Sequence, residues 1–176
     1  MLEILLLIVN TIATVLGGVL LLRFWMQAIR VRPPASVAQF SFTLSDWLVR
    51  PLRRLVPGVG GYDWASLIGA FLVVLLATSV LLVLNYSVEL VLKMALHRFL
   101  TWIVYGFTAL LVLEAIFSWI NPYAPLAPFV RALNDPLLRP LRKVVPLVGG
   151  LDLSMLVAVF LLQIALMLLR SIFGMP

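Results

Sequence analysis

The sequence predicts an all-α integral membrane fold: four transmembrane helices as two parallel tandem repeats, each a helix, a basic interfacial segment and a second helix. Three observations carry this reading. The 176-residue chain is 64% hydrophobic and only 11% charged, with a mean hydropathy of +1.16, whereas soluble domains average about 45–50% apolar and about 25% charged residues. Four apolar runs approach the roughly 20 residues that cross a hydrocarbon core about 30 Å thick. An 18-residue motif recurs at a constant offset of 89 residues.

The spans cover about 2–25, 64–84, 99–120 and 153–169. A soluble fold of this size could not hide so much apolar surface, since small domains bury only part of theirs. The runs show no period-two alternation, and open strand edges do not exist in lipid, so the spans are helices. No basic residue precedes Arg23, so the first run lacks the charged start of a cleavable signal peptide and is expected to be a retained span. Loop 26–63 carries Arg30, Arg32, Arg50, Arg53 and Arg54; loop 121–152 carries Arg131, Arg139, Arg142 and Lys143. An even number of spans puts both loops on one side. Their basic bias makes that side cytoplasmic and both termini external, against one dissenting residue, Arg170. Between the second and third spans, Glu89, Lys93 and His97 recur every four residues, a helical stripe. Stretch 86–98 either prolongs the second helix or lies flat on the outer leaflet, with helix favoured.

Composition also excludes chemistry. The chain has no cysteine and one histidine, so disulfides, thiolate metal sites, Fe–S clusters and multi-histidine metal sites are out of reach, and neither cofactor nor metal is expected. Gly58, Gly60 and Gly61 lack the strand and lysine of a phosphate-binding loop. No nucleophile–base constellation is visible, and the chain is not expected to be an enzyme. The net charge of +6 sits between apolar spans, which points to anionic lipid and away from nucleic acid.

The recurring motif is Asp46-Trp-Leu-Val-Arg-Pro-Leu-Arg-Arg-Leu-Val-Pro-Gly-Val-Gly-Gly-Tyr-Asp63 and Asp135-Pro-Leu-Leu-Arg-Pro-Leu-Arg-Lys-Val-Val-Pro-Leu-Val-Gly-Gly-Leu-Asp152, identical at twelve of eighteen positions. Both copies run the same way across the membrane, a parallel repeat, dividing the chain into 1–96 and 97–176. Asp135 is a good N-cap ahead of Pro136, and Ser45 or Asp46 can cap in the first copy. Pro51 and Pro140 each remove a backbone donor and are expected to kink or end a short element. Pro57 and Pro146 stop it. Gly60-Gly61 and Gly149-Gly150 allow a tight turn with positive φ. Asp63 and Asp152 then cap the next span.

Each motif thus reads as a broken amphipathic element at the interface. Leu48, Leu52, Leu55 and Val56 can dip into acyl chains while Arg50, Arg53, Arg54, Arg139, Arg142 and Lys143 reach phosphates. Two readings stay open: an orientation signal at a helix-hairpin corner, or a specific site for a lipid head group, phosphate or partner. With two extra residues in the first loop, Arg23 falls opposite Glu114, each roughly 10 Å inside the cytoplasmic boundary. They are an intramembrane ion pair, or Arg23 snorkels to the interface while Glu114 is protonated or faces a small polar cavity. Gln163 is a candidate for hydrogen bonding between helices, and Ala13-xxx-Gly17 is a close-packing pattern. Trp25, Trp102 and Trp119 read as interface anchors.

The run Asn134-Asp135-Pro136-Leu-Leu-Arg139-Pro140-Leu-Arg142-Lys143-Val-Val-Pro146, then Gly149-Gly150-Leu-Asp152-Leu-Ser154, preceded by Ser118-Trp119-Ile-Asn121-Pro122, resembles the YggT/YlmG family, over nearly the whole chain as two copies. The chain departs from the pattern at Trp47, Ala65 and Met155, the last standing where the family often has proline. The resemblance implies a bacterial inner-membrane protein with relatives in chloroplasts. It links the chain to osmotic tolerance and potassium uptake, to division and envelope organisation, and, through plastid relatives, to haem assembly on cytochrome b6 and nucleoid distribution. It brings no established enzymatic activity. The expected function is a non-catalytic factor that organises or assists a membrane assembly, with anionic phospholipid and a membrane-protein partner or a second copy as partners. The alternative is an ion-conducting or ion-uptake-regulating protein in osmotic response, although Arg23, Glu114 and Gln163 are too few to line a pathway.

Overall fold

A computed structural model of the chain describes residues 2–145 and 152–174. The helices in order are α1 (Leu2–Ala28), α2 (Ala35–Leu55), α3 (Trp64–Ser79), prolonged by a 3-10 turn at Val80–Leu84, α4 (Val88–Ile120), α5 (Ala127–Arg142) and α6 (Ser154–Phe173). Among the described residues there is no strand. Four stretches are long and apolar enough to cross a membrane: Glu3–Ala28, Trp64–Leu84, Val88–Ile120 and Ser154–Phe173. Large apolar side chains stand exposed along them, Ile4, Leu7, Ile8 and Ile12 on α1 among them. That is the surface of a helix whose solvent is hydrocarbon, where the backbone bonds are satisfied within the helix.

The chain divides into two compact units, Met1–Trp102 and Ile103–Pro176, so that the boundary falls inside α4. In the first unit α1 lies along α3, and α2 packs on both. Its core holds Ala13, Leu20, Val49, Ala65, Ala70, Val73 and Ala77, with Phe99 and Trp102 of α4 against it. Small residues let the backbones approach, the usual solution where lipid removes the hydrophobic drive between helices. In the second unit α5 packs on α6 around Leu111, Leu138 and Ala158, with Leu141, Met155 and Leu162 alongside.

The segments between spans differ from the expected short, broken elements. α2 runs unbroken through Pro51, and α5 through Pro136 and Pro140. All three prolines are exposed, so each removes one backbone bond on an outer face while the inner face stays packed. α2 starts after Pro34, and α5 takes Pro128 into its first turn, where a missing N–H costs nothing. Ser45, Asp46 and Asp135 therefore lie inside helices and do not cap them. The tight turn is as expected at Gly60 and Gly61, with φ of +68° and +82°; Pro146, Gly149 and Gly150 lie outside the described residues. Stretch 86–98 does not prolong the second span, which ends in the 3-10 turn and at Asn85 in the left-handed conformation (φ 61°). From Val88 it is the first part of α4, continuous with the third span.

Candidate functional site

Each unit holds a charged corner where its amphipathic helix meets the ends of its membrane helices. In the first unit Asp63 caps α3. Its carboxylate accepts from the Ser66 hydroxyl at 2.6 Å and more weakly from the Ser66 N–H at 3.4 Å. Arg53, near the end of α2, grips the same carboxylate with two nitrogens along one edge of its guanidinium, Nη2 to Oδ2 at 2.7 Å and Nε to Oδ1 at 3.3 Å. Arg23 of α1 enters from below. Its Nη1 donates to Asp46 Oδ1 at 2.6 Å and to Ser45 Oγ at 2.8 Å, and its Nε lies 3.4 Å from Asp63 Oδ2. The Ser45 hydroxyl donates to the Ser41 carbonyl, and the Phe42 ring faces the guanidinium at 4.8 Å. Arg50 closes the other side of Asp46 at 2.8 Å. Asp46, one turn of α2 before Arg50, thus joins α1 to α2, and Asp63 joins α1, α2 and α3.

The electrostatics follow from these contacts. The hydrogen bond from Arg23, with the charges of Arg23 and Arg50, holds the Asp46 carboxyl below the usual aspartate value despite its desolvation. Burial pushes Asp63 upward, but the bonds from Arg53 and Ser66 and the charges of Arg53 and Arg23 outweigh it, leaving Asp63 lowered as well. The bond to Asp63 raises Arg53.

The second unit repeats the frame with one change of sign. Asp152 accepts from the Ser154 N–H at 2.9 Å at the start of α6, and Arg142 Nε donates to its Oδ2 at 2.8 Å. Burial pushes the Asp152 carboxyl up, and Arg142 and Ser154 bring it below its ordinary value. Burial lowers Arg142, but Asp152, Glu114 and Asp135 leave it raised. Arg139 holds Asp135 at 2.6 Å, as Arg50 holds Asp46. Where the first unit has Arg23, this one has Glu114 of α4. Its Oε2 accepts from Asn134 Nδ2 at 2.8 Å, and Asn134 also donates to the Leu110 carbonyl. Arg142 Nη2 lies 3.5 Å from Glu114 Oε1. In the first corner three arginines share two aspartates; in the second two arginines share three carboxylates.

Both predicted intramembrane residues therefore find partners inside their own units. Arg23 is buried and held by Asp46, Ser45 and Asp63. Glu114 has Asn134 and Arg142. Neither needs the other for a counter-charge. The motif's basic residues separate into two sets. Arg53 and Arg142 turn inward to Asp63, which caps α3 as expected, and to Asp152, which does not cap α6 as expected but stands one residue before its N-cap Leu153. Arg50 and Arg139 are mostly exposed and pair only along their own helices, while Arg54 and Lys143 are exposed without an ion pair among the described residues. Sequence reasoning gave no role to Asn134 and read Ser45 only as a cap. Both are fully buried and 89 residues apart. The available signal was a small polar residue directly before the first aspartate of each motif copy. No cluster of metal-ligating side chains occurs among the described residues.

The family model described as CCB3/YggT matches residues 2–84 and again 94–173. The chain is 34% identical to an uncharacterised protein of Pseudomonas aeruginosa, over 96% of the chain and 91% of that protein. It is 31% identical to an uncharacterised protein of Vibrio alginolyticus, over 95% and 94%. The uncharacterised protein YggT of Escherichia coli K12 is 30% identical over 89% of the chain and 84% of its own length. No solved structure matches the chain.

Proposed function

The chain belongs to the CCB3/YggT family, and from that premise we propose that it is a non-catalytic membrane protein that organises or assists a membrane assembly at an anionic phospholipid surface. One observation carries the reading: the division of the repeated motif into an inward half that fixes the helix and an outward half left for a partner. Arg53–Asp63 and Arg142–Asp152 clamp α2 and α5 to the membrane helices. The outward half presents Arg50, Arg54, Arg139 and Lys143 beside exposed Trp47, Leu55 and Val144. A basic face beside an apolar one suits a helix lying in the head-group region, where each basic residue contributes about 1 kcal/mol near an anionic surface. A bacterial inner membrane, with both basic loops cytoplasmic, is the setting this reading gives it. Osmotic tolerance, ion homeostasis and envelope or division organisation are the processes we propose that such a scaffold serves.

The test is phospholipid retention by the purified protein, read by native mass spectrometry against mixed anionic and zwitterionic lipid. Replacing Arg50, Arg54, Arg139 and Lys143 together by Gln is expected to lower anionic retention about tenfold and leave zwitterionic retention unchanged. Equal anionic retention by wild type and variant would remove the reading. Potassium flux into protein-containing vesicles under an osmotic step, above that of empty ones, would put the conducting role in its place.

A further inference from the structure

Within its own unit the α6 helix carries a face that no described residue covers. Leu156, Phe160 and Met167 are 67%, 63% and 68% exposed, and Gln163, between them, is exposed as well. Their spacing is four, three and four residues, the seam of two helices that supercoil about each other. Gln163 is the tenth residue of a twenty-residue span, so it lies about 14 Å from either end of the helix at 1.5 Å per residue. Its carboxamide makes no hydrogen bond among the described residues. A primary amide in the middle of a hydrocarbon layer has no water to turn to, and polar side chains at that depth act as glue between helices.

The repeat supplies an independent observation. Counting back 89 residues, the same face of α3 is Leu67, Phe71, Val74 and Thr78. There it is a packing face: Val74 and Thr78 are buried, and Phe71 meets Phe99 of α4 edge-on at 5.4 Å. Thr78 satisfies its hydroxyl on the Val74 carbonyl of its own helix. In the first repeat the face is used and carries no amide. In the second it is bare within its unit and carries one.

We propose that this face of α6 is the contact between two copies of the chain, closed by a Gln163–Gln163 hydrogen-bonded pair. The amide is its own complement, with an oxygen that accepts and a nitrogen that donates, so a second identical residue satisfies it. Copies inserted in one membrane have the same orientation. A two-fold axis along the membrane normal therefore sets two α6 helices parallel with Gln163 opposite Gln163, the same patch on both partners. Leu156, Phe160 and Met167 pack above and below, and the single polar position fixes the register. The inference concerns α6 and stands apart from the lipid reading of α2 and α5.

The chain has no cysteine, which makes the test direct. Single cysteines are placed at Leu156, Phe160 and Met167, and at the off-face controls Leu161 and Leu168, which are also exposed. Each variant is oxidised in native membranes and run without reductant. A product of twice the chain mass is expected at the three face positions, at least fivefold stronger than at the controls. Adding Gln163→Leu to the Phe160→Cys variant should weaken that product at least threefold, and Gln163→Asn should restore it. Equal products at face and control positions, none at any position, or a product of another mass would overturn the proposal.

Discussion

Asp63 and Asp152 occupy the same step of the repeat, yet their side chains are 2% and 38% exposed. This difference sets what each is worth. Removing the charge at Asp63 leaves Arg53 without its carboxylate and takes one of two from buried Arg23, the situation in which breaking a buried pair costs about 3–5 kcal/mol. At Asp152 solvent screens the pair, and exposed pairs contribute about 0–1 kcal/mol. Asp63→Asn is therefore expected to lower the Tm in detergent, followed by tryptophan fluorescence, by well over twice the shift from Asp152→Asn. Equal shifts would show that the first corner is no more critical than the second. Acid gives a related prediction. Asp46 and Asp63 are both lowered from 3.8, so their contribution is complete above the unfolded value and is lost as pH falls through the folded one. The Tm should be level from neutral pH to about 5 and fall below about pH 4, with a shallower fall in Asp63→Asn. A Tm that rises on acidification would contradict the sign.

Among the elements, α1 and α3 were legible as apolar runs of membrane length, and Asp63 as the residue ahead of the second span, because both signals are local. The length of α2 and α5 was not. Pro51, Pro136 and Pro140 are strong local breakers, and only tertiary contacts, Val49 in the core and Asp46 on Arg23, show why the helix continues past them. Nor could periodicity place Arg23 against Asp46, since their meeting depends on α2 packing back against α1. Small residues were readable as a pattern but not as a contact. Gly17 proves to be the point where α1 meets α4 within the first unit, and a Cβ there would stand 2.2 Å from the Trp102 ring. Trp102, with the Arg98 guanidinium 5.1 Å from its ring centre, is therefore a packing residue of that unit. Gly17→Ala should destabilise by about 1–3 kcal/mol, the usual cost of overpacking, seen as a lower Tm. In the background of Trp102→Leu the same change should cost less than half as much. An undiminished cost in the double variant would mean that the ring is not what the methyl group meets.

For the whole molecule, the repeat was visible as twelve identities at one offset, and the family model matching twice along the chain is the same fact seen from outside. Hidden from sequence was the change of sign within a common frame. Arg23 and Glu114 align as opposite charges, and within its own unit each is held by residues of its own motif. Ser45 accepts from the cation and Asn134 donates to the anion, which is why the residue before each first aspartate differs in chemistry. These corners bear on topology. The positive-inside bias counts Lys and Arg near span ends and gives little weight to the acids beside them, so pairing Arg53 with Asp63 and Arg142 with Asp152 does not cancel their vote. Loops 26–63 and 121–152 together carry nine basic residues, against Lys93 and Arg98 between the middle spans and Arg170 at the end of the last one. An enzymatic reporter that works only outside the cytoplasm, fused after Pro176, should therefore be active, and one fused within 86–98 should be active too, while fusions at Arg32 and Arg131 stay silent. Activity at Arg32 or Arg131 with silence after Pro176 would invert the molecule. The outward arginines of α2 and α5 would then face the less anionic side, and the lipid reading of the motif would lose its electrostatic basis along with the orientation.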